Sequence, residues 1–87
     1  MLQRLEAWLA DYDHVYLVPG ENGKAGEFAS DILRAEAKKT KGRRLLLLSA
    51  VLADADGFTC IRIDREEEEQ LRRLYHMYEF ADHFSVI

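Results

Sequence analysis

A single cysteine, Cys60, leaves this chain without an internal disulfide and without the cysteine set of a structural zinc site. Cys60 stands in an apolar segment and reads as a small core residue rather than a nucleophile, in a protein suited to a reducing compartment. Long hydrophobic runs are lacking as well. None approaches the ~20 residues of a membrane span, and no signal-peptide apolar region follows Met1, so a cytoplasmic protein without membrane contact is the expectation. Positive charge is not in excess: the net charge of −4 argues mildly against general nucleic-acid binding. What is present is a globular composition, 48% hydrophobic and 32% charged, which sets the chain apart from disordered ones. A chain of 87 residues makes one domain, residues 1–87, that buries ~60–65% of its unfolded surface.

The stretch from Arg43 to Asp64 organises the rest. Residues 45–53 carry no charge and are bounded by Arg43 and Arg44 before and by Asp54 to Gly57 after, which reads as a buried strand closed by a turn. Residues 58–64 alternate, with Thr59, Ile61 and Ile63 on one side and Phe58, Cys60 and Arg62 on the other, as a strand requires. A β-hairpin is the expectation, with Gly57 free to take a positive φ in its turn.

Before this stretch, Leu2, Leu5, Leu9 and Tyr12 recur at helical spacing with Trp8 beside them, so residues 2–12 should form an amphipathic helix. Asp11 and Asp13 oppose the dipole at its end. Residues 14–18 are rich in β-branched and aromatic side chains and stop at Pro19 and Gly20, which predicts a strand. A second helix follows, with Asn22 as N-cap and Ala25, Phe28, Ala29, Ile32, Leu33 and Ala35 on its apolar face. Glu36 falls near the middle of that face. Lys38, Lys39 and Gly42 end the helix in the manner that the dipole and a left-handed cap favour. After the hairpin, Asp64 and Glu67 form a capping box for a third helix whose stripe is Leu71, Leu74, Tyr75, Met77, Tyr78 and Ala81. Residues 83–87 read as a short terminal strand.

The order is therefore α-β-α-β-β-α-β. Without its first helix it resembles the split β-α-β-β-α-β, ferredoxin-like topology over residues 14–87, which implies an α+β fold with an antiparallel sheet and an extra N-terminal amphipathic helix. In that topology the strand from Leu45 lies at an edge and one sheet face stays partly uncovered. Both features invite two-fold association, so a homodimer is expected, with Tyr16, Val18, Leu46, Leu48 and Phe58 as its interface.

Two other groups of residues are candidate sites. Strand, glycine loop and helix follow one another in residues 16–27 as in a phosphate-binding loop, but Gly20 and Gly23 are too close together and Ala25 stands where Ser or Thr would hold magnesium. Backbone amides there still offer an anion site at Gly20, Asn22, Gly23 and Lys24. Lys38, Lys39, Lys41, Arg43 and Arg44 are the basic cluster, suited to the phosphates of a polyanion, with Tyr16 and Phe58 on the sheet to stack bases. Helix capping and protection of the leucine run also explain these cations. His76, Glu79 and His83 share a polar helix side, yet two turns separate the histidines by about 10 Å, so no metal site is assigned. No catalytic residue and no cofactor is assigned either, since Ser30, Ser49 and Ser85 lack nucleophile-elbow glycines.

Three functions remain. The first is a small homo-oligomeric binding or regulatory module that engages a protein partner through its sheet. The second is a nucleic-acid or nucleotide-binding protein using the basic cluster and the glycine loop. The third is a small enzyme of the dimeric α+β barrel kind, its open sheet face enclosing a pocket lined by His14, Tyr16 and Phe58.

Overall fold

Four leucines in succession, Leu45 to Leu48, point alternately to the two faces of a strand, so a strand that carries them must be buried on both. The computed structural model shows this arrangement. It describes the chain apart from residues 21, 22, 53 and 79–81, and residues 23–29 by their backbone alone. The elements are α1 (Leu2–Asp11), β1 (His14–Val18), α2 (Gly23–Lys39), β2 (Leu45–Ser49), β3 (Thr59–Arg62), α3 (Arg65–Tyr78) and β4 (Phe84–Val86). They form one sheet in the order β3-β2-β1-β4. Every neighbouring pair is parallel, with Val15 opposite Leu46 and Phe84, and Leu47 opposite Cys60.

The expected antiparallel ferredoxin-like sheet is thus corrected to a parallel one. No hairpin joins β2 to β3. Residues 50–58 instead carry the chain back to the sheet's other end, and on the way Leu52, Ala55 and Phe58 pack against the core. The connection does the covering that a crossover helix does elsewhere. Its turn closes with the amide of Phe58 donating to the Ala55 carbonyl at 3.2 Å, beside Gly57 at φ 89°.

Side chains divide between two cores. Val15, Leu17, Leu46, Leu48, Ile63 and Phe84 face α1 and α3, which contribute Leu5 and Leu71. Tyr16, Val18, Leu45 and Leu47 face α2, which contributes Leu33. The period-two partition expected along β3 is therefore observed, β1 and β4 alternate in the same way, and the helices lie elsewhere than expected: α2 and α3 cover opposite faces. An ion pair between Arg4 and Glu67 joins α1 to α3.

Both supports for a homodimer disappear with this topology. β2 is interior, paired on each side, and the face that carries Tyr16 and Val18 is covered. Tyr16, Val18, Leu46 and Leu48 are at most 2% exposed and belong to the protomer's own core, with only Phe58 of the five half-buried. Placing such side chains in an interface would require the domain to open, because each fully buried Leu or Val contributes about 1.5–3 kcal/mol to the fold.

The helical stripes hold only in part, since Leu33, Leu71, Leu74 and Tyr75 face the core while Ile32, Ala35, Met77 and Tyr78 are exposed, but the cap signals hold. The Glu67 amide donates to Asp64 Oδ1 at 2.8 Å and the Asp64 amide to Glu67 Oε1 at 3.2 Å, a closed capping box. Gly42, just past α2, takes φ 89°. The proposed N-cap Asn22 lies outside the described residues, as do Ala81 and the side chains of Ala25, Phe28 and Ala29. Among the described residues no helix is long and apolar enough to cross a membrane.

Candidate functional site

Because the strands are parallel, all four begin at one edge of the sheet and end at the other. Helices following parallel strands run back against them, so α2 and α3 start at the carboxyl edge and finish at the amino edge, where α1 also ends. The longest charge runs lie at opposite edges, although Asp11, Asp13 and Asp82 also stand at the amino edge. Asp64 and Glu66 to Glu69 open α3 at the carboxyl edge, and the cations from Lys38 to Arg44 lie between the end of α2 and the start of β2 at the amino edge.

At the carboxyl edge the glycine loop already holds an anion of the protein's own. The Gly20 amide donates to Glu68 Oε1 at 2.7 Å. Glu68 is only 5% exposed, and Gly20 lies so close to the next loop that a Cβ on it would sit 2.8 Å from Val51 Cγ1. A phosphate approaching Gly20 would meet a buried carboxylate on the donor that should receive it. Of the four candidate anion-site residues, Gly20 is thus engaged internally, Gly23 begins α2, and Asn22 and the Lys24 side chain fall outside the described residues. In sequence Glu68 stands in an acidic run, residues 66–69, that resembles a solvated helix face. Its spacing from Leu71 and Tyr75, i to i+3 and i+7, placed it on the buried stripe and was the signal to follow.

The amino edge is different. Lys38, Lys39, Lys41, Arg43 and Arg44 are all exposed. Lys39 Nζ stands 4.0 Å from Glu36 Oε1, and among the described residues the other four make no ion pair. Asp13 contributes a backbone contact only: its Oδ2 accepts the Arg44 amide at 2.7 Å and fixes the chain entering β2. An open cleft runs along this edge, lined by Arg43, Arg44, Tyr12, Phe58, Thr59 and Asp11. Tyr12 stands just past α1 in an extended conformation, φ −121° and ψ 149°, half-buried against the core. Phe58 is half-buried too, its ring edge-on to Tyr16 with centroids 5.4 Å apart. Of the aromatics expected to stack bases, Phe58 reaches the cleft and Tyr16 does not. The sequence pattern marks Tyr12 only as part of the helix stripe.

Beside the cleft a polar chain runs under the end of α2. His14 Nε2 lies 2.9 Å from Ser85 Oγ, the His14 ring stacks on Tyr16 at 4.3 Å, and the Tyr16 hydroxyl donates to Glu36 Oε2 at 3.1 Å. Burial pushes the Tyr16 phenol up to about 12, helped by the Glu36 carboxylate beside it. Burial holds His14 below its ordinary 6.5, the Glu36 carboxylate opposing and His83 and Arg43 adding to the shift. A neutral imidazole on a serine hydroxyl is the start of a nucleophilic pair, but the groups around it are already engaged with one another: Tyr16 is core and Glu36 holds the phenol. Cys60, half-buried on β3, has its thiol pushed up by burial, which disfavours the thiolate a nucleophile needs. His76 lies in α3 and His83 in the approach to β4, with Glu79 outside the described residues.

Comparison with protein-family models, with curated proteins and with solved structures finds no match to this chain.

Proposed function

We propose that the chain is a binding module whose ligand is a polyanion, held at the amino edge by Lys38, Lys39, Lys41, Arg43 and Arg44. One observation carries the reading: five exposed cations gather between the last turn of α2 and the start of β2, Arg43 and Arg44 among them line an open cleft, and among the described residues only Lys39 of the five makes an ion pair. Helix-dipole compensation accounts for Lys38 and Lys39, which lie in the last turn of α2. That effect fades within one turn, so it leaves Lys41, Arg43 and Arg44 unexplained. Protection of an edge strand does not explain them either, since β2 is interior.

Acids stand at this edge too, Asp11 and Asp13 between α1 and β1 and Asp82 before β4, but among the described residues none of them makes an ion pair with the five cations, and the acidic run of residues 64–69 sits at the opposite edge. The small-enzyme reading loses its ground, because helices lie on both sheet faces and Tyr16 is packed in the core. The proposal needs no dimer.

Heparin and short oligonucleotides serve as probes. If five phosphate or sulfate contacts form, log affinity should fall against log salt with a slope of about −3 to −5. Replacing Lys38, Lys39 and Lys41 together by Ala should lower that slope and remove most of the affinity. No binding to either probe at low salt contradicts the proposal.

A further inference from the structure

We infer that the polyanion is a single-stranded nucleic acid, its bases stacking on Tyr12 and Phe58 while Arg43 and Arg44 take the backbone phosphates. The inference rests on the polyanion reading and adds the ligand class to it. A sulfated polysaccharide or a lipid surface needs only exposed cations, and the five at this edge would serve any of them. The cleft holds something more. Two aromatic residues, from the end of α1 and the start of β3, line the same depression as the two arginines, along with Thr59. Aromatic faces among phosphate-binding cations are what unpaired bases require, and duplexes, whose bases are already stacked, do not use them.

Both rings are set in place by the core. Phe58 is held edge-on to Tyr16 and packs with Leu45 and Leu47, and Tyr12 packs on the cluster of Leu5 and Val15. Neither has much conformational freedom to lose when a base lands on it. The backbone next to them is equally fixed: the Tyr12 amide donates to the Trp8 carbonyl at 2.9 Å and the Asp13 amide to the Arg44 carbonyl at 2.8 Å. Asp11, in the same depression, sets a limit. It repels a phosphate placed directly over the end of α1, so the strand should pass with its phosphates toward Arg43 and Arg44 and its bases toward Tyr12.

The test is a fluorescence titration of the full chain with a 12-nucleotide single strand carrying 2-aminopurine, alongside a duplex of the same length and heparin. Stacking on a ring changes 2-aminopurine emission, so the unmodified protein should give that change with the single strand. It should also bind the strand more tightly than the duplex. Tyr12→Leu and Phe58→Leu keep apolar bulk in the core and remove the ring. Each should weaken single-strand binding by about fivefold or more, in line with the loss of one stacked base, and leave heparin affinity unchanged. Arg43→Gln with Arg44→Gln should weaken all three probes. Equal binding of duplex, heparin and single strand with no change in 2-aminopurine emission overturns the single-strand inference while the polyanion reading stands. Failure of all three probes to bind at low salt overturns both.

Discussion

His14 Nε2 lies 2.9 Å from the Ser85 hydroxyl, joining β1 to β4 through side chains 71 residues apart in sequence. Because the His14 ring also stacks on Tyr16, and Tyr16 donates to Glu36, one chain of contacts ties both strands to α2.

That linkage makes stability depend on pH. Burial depresses His14 below 6.5, so the unfolded chain takes up the proton before the folded one does. Its contribution is fully present above the unfolded value and is lost as pH falls from there through the folded one. The urea midpoint should therefore drop between about pH 7.5 and pH 5, and His14→Phe should flatten the part of that dependence due to His14. The variant keeps a ring against Tyr16, loses the bond to Ser85, and should cost about 1 kcal/mol at neutral pH. Identical pH profiles for the two proteins would contradict the assignment.

Gly20 is constrained by space rather than by dihedral angle, since a Cβ there would meet Val51 Cγ1 at 2.8 Å and its φ is not among the positive ones. Gly20→Ala should cost about 1–3 kcal/mol through overpacking. Val51→Ala should recover much of that in the double variant, because the two residues share one contact. Additive losses in denaturant unfolding would show that the clash is not the cause.

Leu46 and Leu48 are fully buried inside one chain. Leu46→Ala should lower unfolding free energy by about 2–5 kcal/mol. The loss should be the same across a hundredfold range of protein concentration. A loss that shrinks on concentration would return Leu46 to an intermolecular surface.

The contrast between β1 and β2 shows how far the sequence was legible. Which side chains of Val15, Tyr16, Leu17 and Val18 share a face follows from the local pleat alone, Val15 and Leu17 on one side and Tyr16 and Val18 on the other. Strand direction is not local. The acidic turn at residues 54–57 looks the same whether the chain reverses there or crosses back to the start of the sheet. The signal against a hairpin was Leu45 to Leu48, an unbroken apolar run that marks burial on both faces. The basic cluster was legible because its members are adjacent in sequence. The cleft was not, since it brings Tyr12, Arg43 and Phe58 together from three separate connections. Gly20 and Glu68, 48 residues apart, met for the same reason.

The amino edge of the sheet is the proposed binding surface. Two-dimensional amide NMR of the uniformly labelled protein, titrated with a short single-stranded oligonucleotide at low salt, tests it most directly. Amide shifts are expected at Lys38 to Arg44 and at Tyr12, Phe58 and Thr59, reversed by added salt. Shifts confined to the carboxyl edge, at Gly20, Val51, Asp64 and Glu68, would contradict it.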